Sequence, residues 1–220
     1  MKEMLNLKVF GVIPEPKILC LGAHPDDIEI GCGGTILRII KESPDAQFRW
    51  VVFSGNKKRR EEACQAANFF LQGAKSKEIN IEHFRDSYFP FIGGRIKNFF
   101  EKLKSEFSPD LIFTHYSSDA HQDHRLISNL TWNTFRDQFI IEYEIPKYEG
   151  DMGNPNLHVC LTEFQVKQKT SQICGVFQSQ KEKPWFDEET FRAILRLRGV
   201  ECNSPSRFAE AFYCPKIVLR

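Results

Sequence analysis

The chain turns from strand to helix within Ile18-Leu19-Cys20-Leu21-Gly22-Ala23-His24-Pro25-Asp26-Asp27-Ile28-Glu29-Ile30-Gly31-Cys32-Gly33-Gly34-Thr35. The opening apolar run is of the kind a fully buried parallel strand shows. Ile36, Leu37, Ile39 and Ile40 then continue with helical spacing. One His and two adjacent Asp lie between, at the carboxyl end of a strand, where open α/β sheets place their sites. Pro25 suits a first helical turn, where its missing N–H costs nothing. Asp26 and Asp27 fall beside the helix N-terminus, where negative charge is favoured. A well-capped helix start would account for all of this. The second reading is chemical: His24 and Asp27, three apart, converge on one divalent metal, and Asp26 points elsewhere as a base.

Thr114-His115-Tyr116-Ser117-Ser118-Asp119-Ala120-His121-Gln122-Asp123-His124-Arg125 is the second loaded stretch, and four of the six His residues lie in these two segments. It follows another buried-type strand, 110–115, so both loops should open on the same edge of the sheet. His121 and His124, three apart, share a face at a helix start. Taken alone, a polar loop capped by Asp119 with surface histidines explains it, and Arg125 falls on the exposed side of its helix. Together the two stretches offer His24, Asp27 and His124, a His₂Asp set that leaves a position open for water, as hydrolytic sites require. A metal there lowers the pKa of bound water from about 15.7 towards 7. Asp26 would take the water's proton. His121, held by Asp123 through its second nitrogen, would stay protonated, stabilise the oxyanion and protonate the departing amine. One such donor contributes on the order of 10²–10³ in rate. Zn²⁺, Fe²⁺ and Mn²⁺ all accept this donor set.

The remaining periodicity gives an arm over 1–16, a strand at 17–22, and a helix over 26–41. A strand at 47–53 leads into a helix from Lys57 with Gly73 as its C-cap, then a strand at 79–84. An aromatic loop at 88–94 precedes a helix over 96–107, and the helix after the second loaded stretch reaches about 136. Later come a strand at 139–144, a long loop at 146–155, a strand at 157–161, helices over 164–178 and 188–198, and a strand at 208–213. Alternating strands and helices predict an α/β fold, a mostly parallel sheet with helices on both faces, in a single domain over 1–220. A net charge of +1 with both signs interleaved gives no reason to expect a nucleic-acid or anionic membrane partner. Met1 to Lys17 contains no apolar run long enough for a signal peptide or membrane span. Seven scattered Cys without a CxxC pair read as reduced thiols of a cytoplasmic protein.

Ala23-His24-Pro25-Asp26-Asp27-Ile28-Glu29 followed by Gly33-Gly34-Thr35, and later Asp119-Ala120-His121-Gln122-Asp123-His124, resembles the PIG-L or LmbE-like family of zinc-dependent N-deacetylases. The resemblance implies a Rossmann-like, three-layer fold. It also implies His24, Asp27 and His124 as zinc ligands, Asp26 as general base, His121 as oxyanion donor or acid, and Asp123 as its partner. Arg59-Arg60-Glu61-Glu62 is similar to the family's Arg-x-x-Glu helix start and implies that Arg59 reaches substrate or released acetate; a solvated basic turn is the alternative. Ser179-Gln180, Arg198-Gly199 and Ala209-Glu210-Ala211-Phe212 resemble the C-terminal part of bacterial members. The loop after the second strand is short, and the spacing before the last strand departs from the family pattern.

The implied substrate is a small N-acetyl amino sugar or glycoconjugate, and a homo-oligomer is compatible with the sequence. Two other classes stand beside this one: a metal-containing protein that binds a sugar without hydrolysing it, and a nucleotide-sugar-binding transferase. Asp26 discriminates against the first, since a binder needs no unliganded carboxylate beside the metal. Gly31, Gly33 and Gly34 count against the second, because they fall inside the helix and not in a strand-to-helix turn. Tyr88-Phe89-Pro90-Phe91 and Trp185-Phe186 either stack on a sugar ring or pack as core or lid.

Overall fold

The computed structural model describes Gly11 and residues 13–218, so most of the arm over 1–16 lies outside the described residues. The elements run β1 (Lys17–Gly22), α1 (Asp27–Glu42), β2 (Gln47–Ser54), α2 (Lys57–Phe70), β3 (Ser76–Phe84), α3 (Gly93–Glu106), β4 (Leu111–His115), α4 (Gln122–Thr134), β5 (Phe139–Tyr143), β6 (Leu157–Cys160), α5 (Glu163–Val176), α6 (Glu188–Glu201) and β7 (Ala209–Tyr213). They form a seven-stranded sheet in the order β3-β2-β1-β4-β5-β7-β6. The first five strands pair in parallel. β7 enters antiparallel between β5 and β6.

Strand periodicity explains why the central strands are apolar throughout. Ile18, Cys20, Phe48, Trp50, Val52, Leu111 and Phe113 face one core, shared with α1, α2, α5 and α6. Leu19, Leu21, Val51, Phe53 and Ile112 face the other, under α3 and α4. Both faces of β1, β2 and β4 are therefore covered, giving the three layers of a Rossmann-like α/β fold.

The glycines of α1 are notches for close packing. A Cβ at Gly31 would enter the Tyr143 ring, one at Gly33 would lie 2.8 Å from Phe70, and one at Gly34 would press on Leu161 and Glu210. At the same place Glu210 accepts the N–H groups of Gly34 and Thr35 at 2.8 and 2.6 Å. The buried Lys169 Nζ donates to Glu210 Oε1 and to the Ile30 carbonyl, both at 2.5 Å. An ion pair from α5 and β7 thus fixes the middle of the helix whose first turn carries Asp27.

Some boundaries differ from the sequence expectation. β3 starts at Ser76 because Ser76, Lys77 and Glu78 pair with β2 while remaining exposed, and an exposed edge leaves no apolar signature. α2 ends at Phe70 with Leu71 as C-cap, so Gly73, at φ 92°, reverses the chain beyond the helix instead of capping it. α6 runs on to Glu201.

Candidate active site

β1 and β4 are neighbours, so the loops after them open on the same sheet edge, and α1 and α4 begin there. His24 Nδ1 lies 3.1 Å from His124 Nε2 and 3.5 Å from Asp27 Oδ2. Asp27 Oδ2 lies 3.6 Å from His124 Nε2. Ligands placed about 2.0–2.2 Å from a tetrahedral zinc stand roughly 3.3–3.6 Å from one another. The three donors therefore have the spacing of groups that share one ion, and all three residues are buried. Burial opposes charge on Asp27, yet His124 and His115 hold its carboxyl well below the usual carboxylate range.

The outward nitrogens of both histidines are held by carboxylates. His124 Nδ1 is 3.0 Å from Asp119 Oδ2. His24 Nε2 is 3.2 Å from Asp86 Oδ1 and 3.4 Å from Asp123 Oδ2. Such pairing fixes ring orientation and tautomer at a metal site. His115, at the end of β4, stacks on His124 with centroids 3.9 Å apart and places Nε2 3.2 Å from Asp27 Oδ2. The donors and this outer layer together suit a divalent ion such as zinc.

Asp26, next to Asp27 in the chain, pairs with Arg59 and not with the three donors. Its backbone is left-handed, at φ 96°, immediately before α1. Both its carboxylate oxygens lie 3.2 Å from Arg59 Nη2, which also donates to the Pro25 carbonyl at 2.6 Å. Burial pushes the Asp26 carboxyl up to about 7, with Arg59 pulling the other way. Arg59 is thus engaged with the candidate base. Glu62, at the end of the same Arg-x-x-Glu segment, accepts the N–H and hydroxyl of Ser179. That contact joins two segments that resemble the family separately.

His121 and Asp123 are arranged differently from the sequence expectation. The Asp123 carboxylate accepts N–H groups from Ser87 at 2.7 Å and Phe89 at 3.1 Å and faces His24. It is the Asp123 backbone N–H that donates to His121 Nδ1, at 3.2 Å. An N–H can only donate, so Nδ1 accepts and the imidazole proton sits on Nε2. Burial and the nearby His24 lower the His121 pKa. The Asp123 carboxylate is thus directed at His24, and His121 presents its Nε2–H. Its ring stays close, with centroids 4.9 Å from His24 and 4.6 Å from His124.

Asp86, His115 and Lys147 were not singled out in the sequence, and Asp119 entered only as a cap. Asp119 and His115 do stand within the second loaded stretch, whereas Asp86 sits in the loop after β3 with no motif around it. Arg125 turns back and donates to the carbonyls of Asp119 and Ala120, bracing the loop. The aromatic loop divides: Phe89 is buried with its ring centroid 6.0 Å from that of His24, while Tyr88 and Phe91 are exposed. Trp185 packs on Phe186 and Tyr148.

Solved structures share this architecture. The conserved protein TT1542 from Thermus thermophilus is 21% identical, with a TM-score of 0.74, over 93% of this chain and 97% of that one. The N,N'-diacetylchitobiose deacetylase from Pyrococcus horikoshii is 20% identical, with a TM-score of 0.60, over 90% of this chain and 82% of that one. GalB, the 4-carboxy-2-hydroxymuconate hydratase from Pseudomonas putida, is 15% identical, with a TM-score of 0.67, over 93% of this chain and 98% of that one. At these identities the likeness establishes the fold alone, and the fold hosts more than one reaction. The sequence itself matches the PIG-L family model, described as GlcNAc-PI de-N-acetylase, over residues 19–135, a span that holds both loaded loops, and the chain belongs to that family.

Proposed function

We propose that this chain is a metal-dependent hydrolase that removes the acetyl group from an N-acetylglucosamine-type amino sugar or glycoconjugate and releases acetate. The observation that carries the reading is the convergence of His24, Asp27 and His124 within 3.6 Å of one another, with the unliganded Asp26 beside them. Zn²⁺ suits two imidazoles and a carboxylate, and Fe²⁺ or Mn²⁺ also fit them. The bound ion would supply Lewis acidity and acidify a water at neutral pH.

The protein groups then divide the work. Asp26 accepts a proton from the attacking water, and Arg59 holds the carboxylate in place for it. The His121 Nε2–H donates to the amide oxygen as negative charge builds there. Asp26 then returns the proton it has taken up to the departing amine. Water and amide are consumed, and amine and acetate are produced. The likeness to a hydratase shows that the same scaffold supports another water-addition reaction; the family match favours amide hydrolysis. The scattered free cysteines suit a cytoplasmic setting. Among the described residues no helix is long and apolar enough to cross a membrane.

The test is acetate release from a panel of N-acetyl amino sugars and their glycosides by zinc-, iron- and manganese-loaded protein. Turnover is expected for wild type. Asp26→Asn, which keeps shape and tolerates the left-handed backbone, should lower kcat by at least about 10²-fold with metal still bound. Loss of metal from that variant would show that base and ligand are wrongly divided, and no acetate from any panel member would remove the activity.

A further inference from the structure

Lys147 lies in the long connection between β5 and β6, away from both loaded stretches, yet its ammonium is buried against the site. Nζ donates to both oxygens of Asp151 at 2.6 Å and forms an ion pair with Asp119 Oδ2 at 3.1 Å, and its side chain is only 8% exposed. The same Asp119 oxygen is 3.0 Å from His124 Nδ1, and the other oxygen accepts the His121 N–H at 2.7 Å. Asp151 also accepts the Ala120 N–H at 2.6 Å. One carboxylate thus gathers a candidate ligand ring, the backbone of the candidate oxyanion donor, and an ammonium from a distant loop.

We propose that Lys147 is a positioning residue of the metal centre, acting through Asp119 to hold the His124 ring with Nε2 towards the ion. This rests on the reading of His24, Asp27 and His124 as ligands. The physical reason is charge balance in a buried place. Asp119 and Asp151 flank one ammonium. With it removed, two carboxylates face each other without a counter-charge, an arrangement that burial makes costly. Asp119 is then repelled from its position, and the imidazole it orients is released. A lysine suits this place because it concentrates its charge on one atom, within ion-pair distance of both carboxylates. The loop that carries Lys147 also carries Tyr148, whose ring meets that of Trp185.

The experiment measures Zn²⁺ affinity by competition with a chromophoric chelator and the visible spectrum of the Co²⁺-loaded protein. Lys147→Met should bind Zn²⁺ about tenfold more weakly, the lower end for loss of a partner behind a ligand. Its Co²⁺ bands should shift, and Lys147→Arg should restore both. Asp151→Asn should move affinity in the same direction by a smaller factor, and it gives the reading if Lys147→Met fails to fold. Zn²⁺ affinity and Co²⁺ bands unchanged in Lys147→Met, or in Asp151→Asn if that variant alone folds, would overturn the inference. Neither readout needs turnover. A wild type that binds Zn²⁺ and Co²⁺ without releasing acetate would remove the proposed substrate and leave this inference standing. A wild type that binds neither would remove the ligand assignment itself.

Discussion

His121 receives its tautomer from a backbone N–H, and this separates two residues that stand only two apart. Removing its ring should leave metal in place and lower kcat by about 10²–10³-fold, the effect of one lost oxyanion donor. Asp123→Asn should do the reverse: its carboxylate faces His24, so Zn²⁺ affinity should fall about 10–100-fold, with kcat recovering at saturating zinc. Affinity titrations and steady-state rates on the two variants check the contrast, and a rate defect in Asp123→Asn that zinc cannot recover would return Asp123 to the reacting centre. The inner donors were legible in the sequence because both imidazoles and Asp27 sit in short motifs after apolar strands. The direction in which Asp123 points was not. It depends on Ser87 and Phe89, which reach it from the connection after β3. Lys147 and Asp86 were invisible for the same reason: neither has a sequence neighbour that marks it.

Among the elements, the regular βα half was readable in order and type and, at its boundaries, to within about three residues, since buried strands and one-sided helices leave clear periods. The second half was less so. β7 lies between β5 and β6, a choice of neighbour that hydrophobic pattern does not encode. α6 is held against the segment before β7 by Gly199, where a Cβ would collide with the backbone of Arg207 and Phe208. Backbone cannot swing aside as a side-chain tip can. Gly199→Ala should therefore destabilise the fold by about 1–3 kcal/mol, as overpacking does, measured by urea unfolding. Stability equal to wild type would mean that α6 slides freely on its support. Arg198, next to it, is bound to Glu144 and to the Gly153 carbonyl, so such a shift would be passed to the connection that carries Lys147.

For the whole molecule, the donors that would hold the ion come from loops after β1 and β4, and the ion would tie those two strands' loops together. A ligand that binds only the folded state adds about 2.7 kcal/mol at a concentration 100 times its Kd. In a chain of this size each kcal/mol raises Tm by roughly 2–4 °C. Zinc at that excess should thus raise Tm by roughly 5–10 °C over chelator-treated protein, and His124→Ala should abolish the shift. A melting curve indifferent to zinc would separate the cation from folding. The antiparallel insertion described above also has a consequence for synthesis. As the polypeptide leaves the ribosome, β1 to β5 can zip together in the order they emerge. Leu157–Cys160 cannot join them, because its neighbour in the sheet is Ala209–Tyr213, which is still to be made. Until that last strand arrives, β5 presents an open rim and α1 lacks the carboxylate of Glu210, so the nascent chain passes through an interval in which it is vulnerable to sticking to its neighbours.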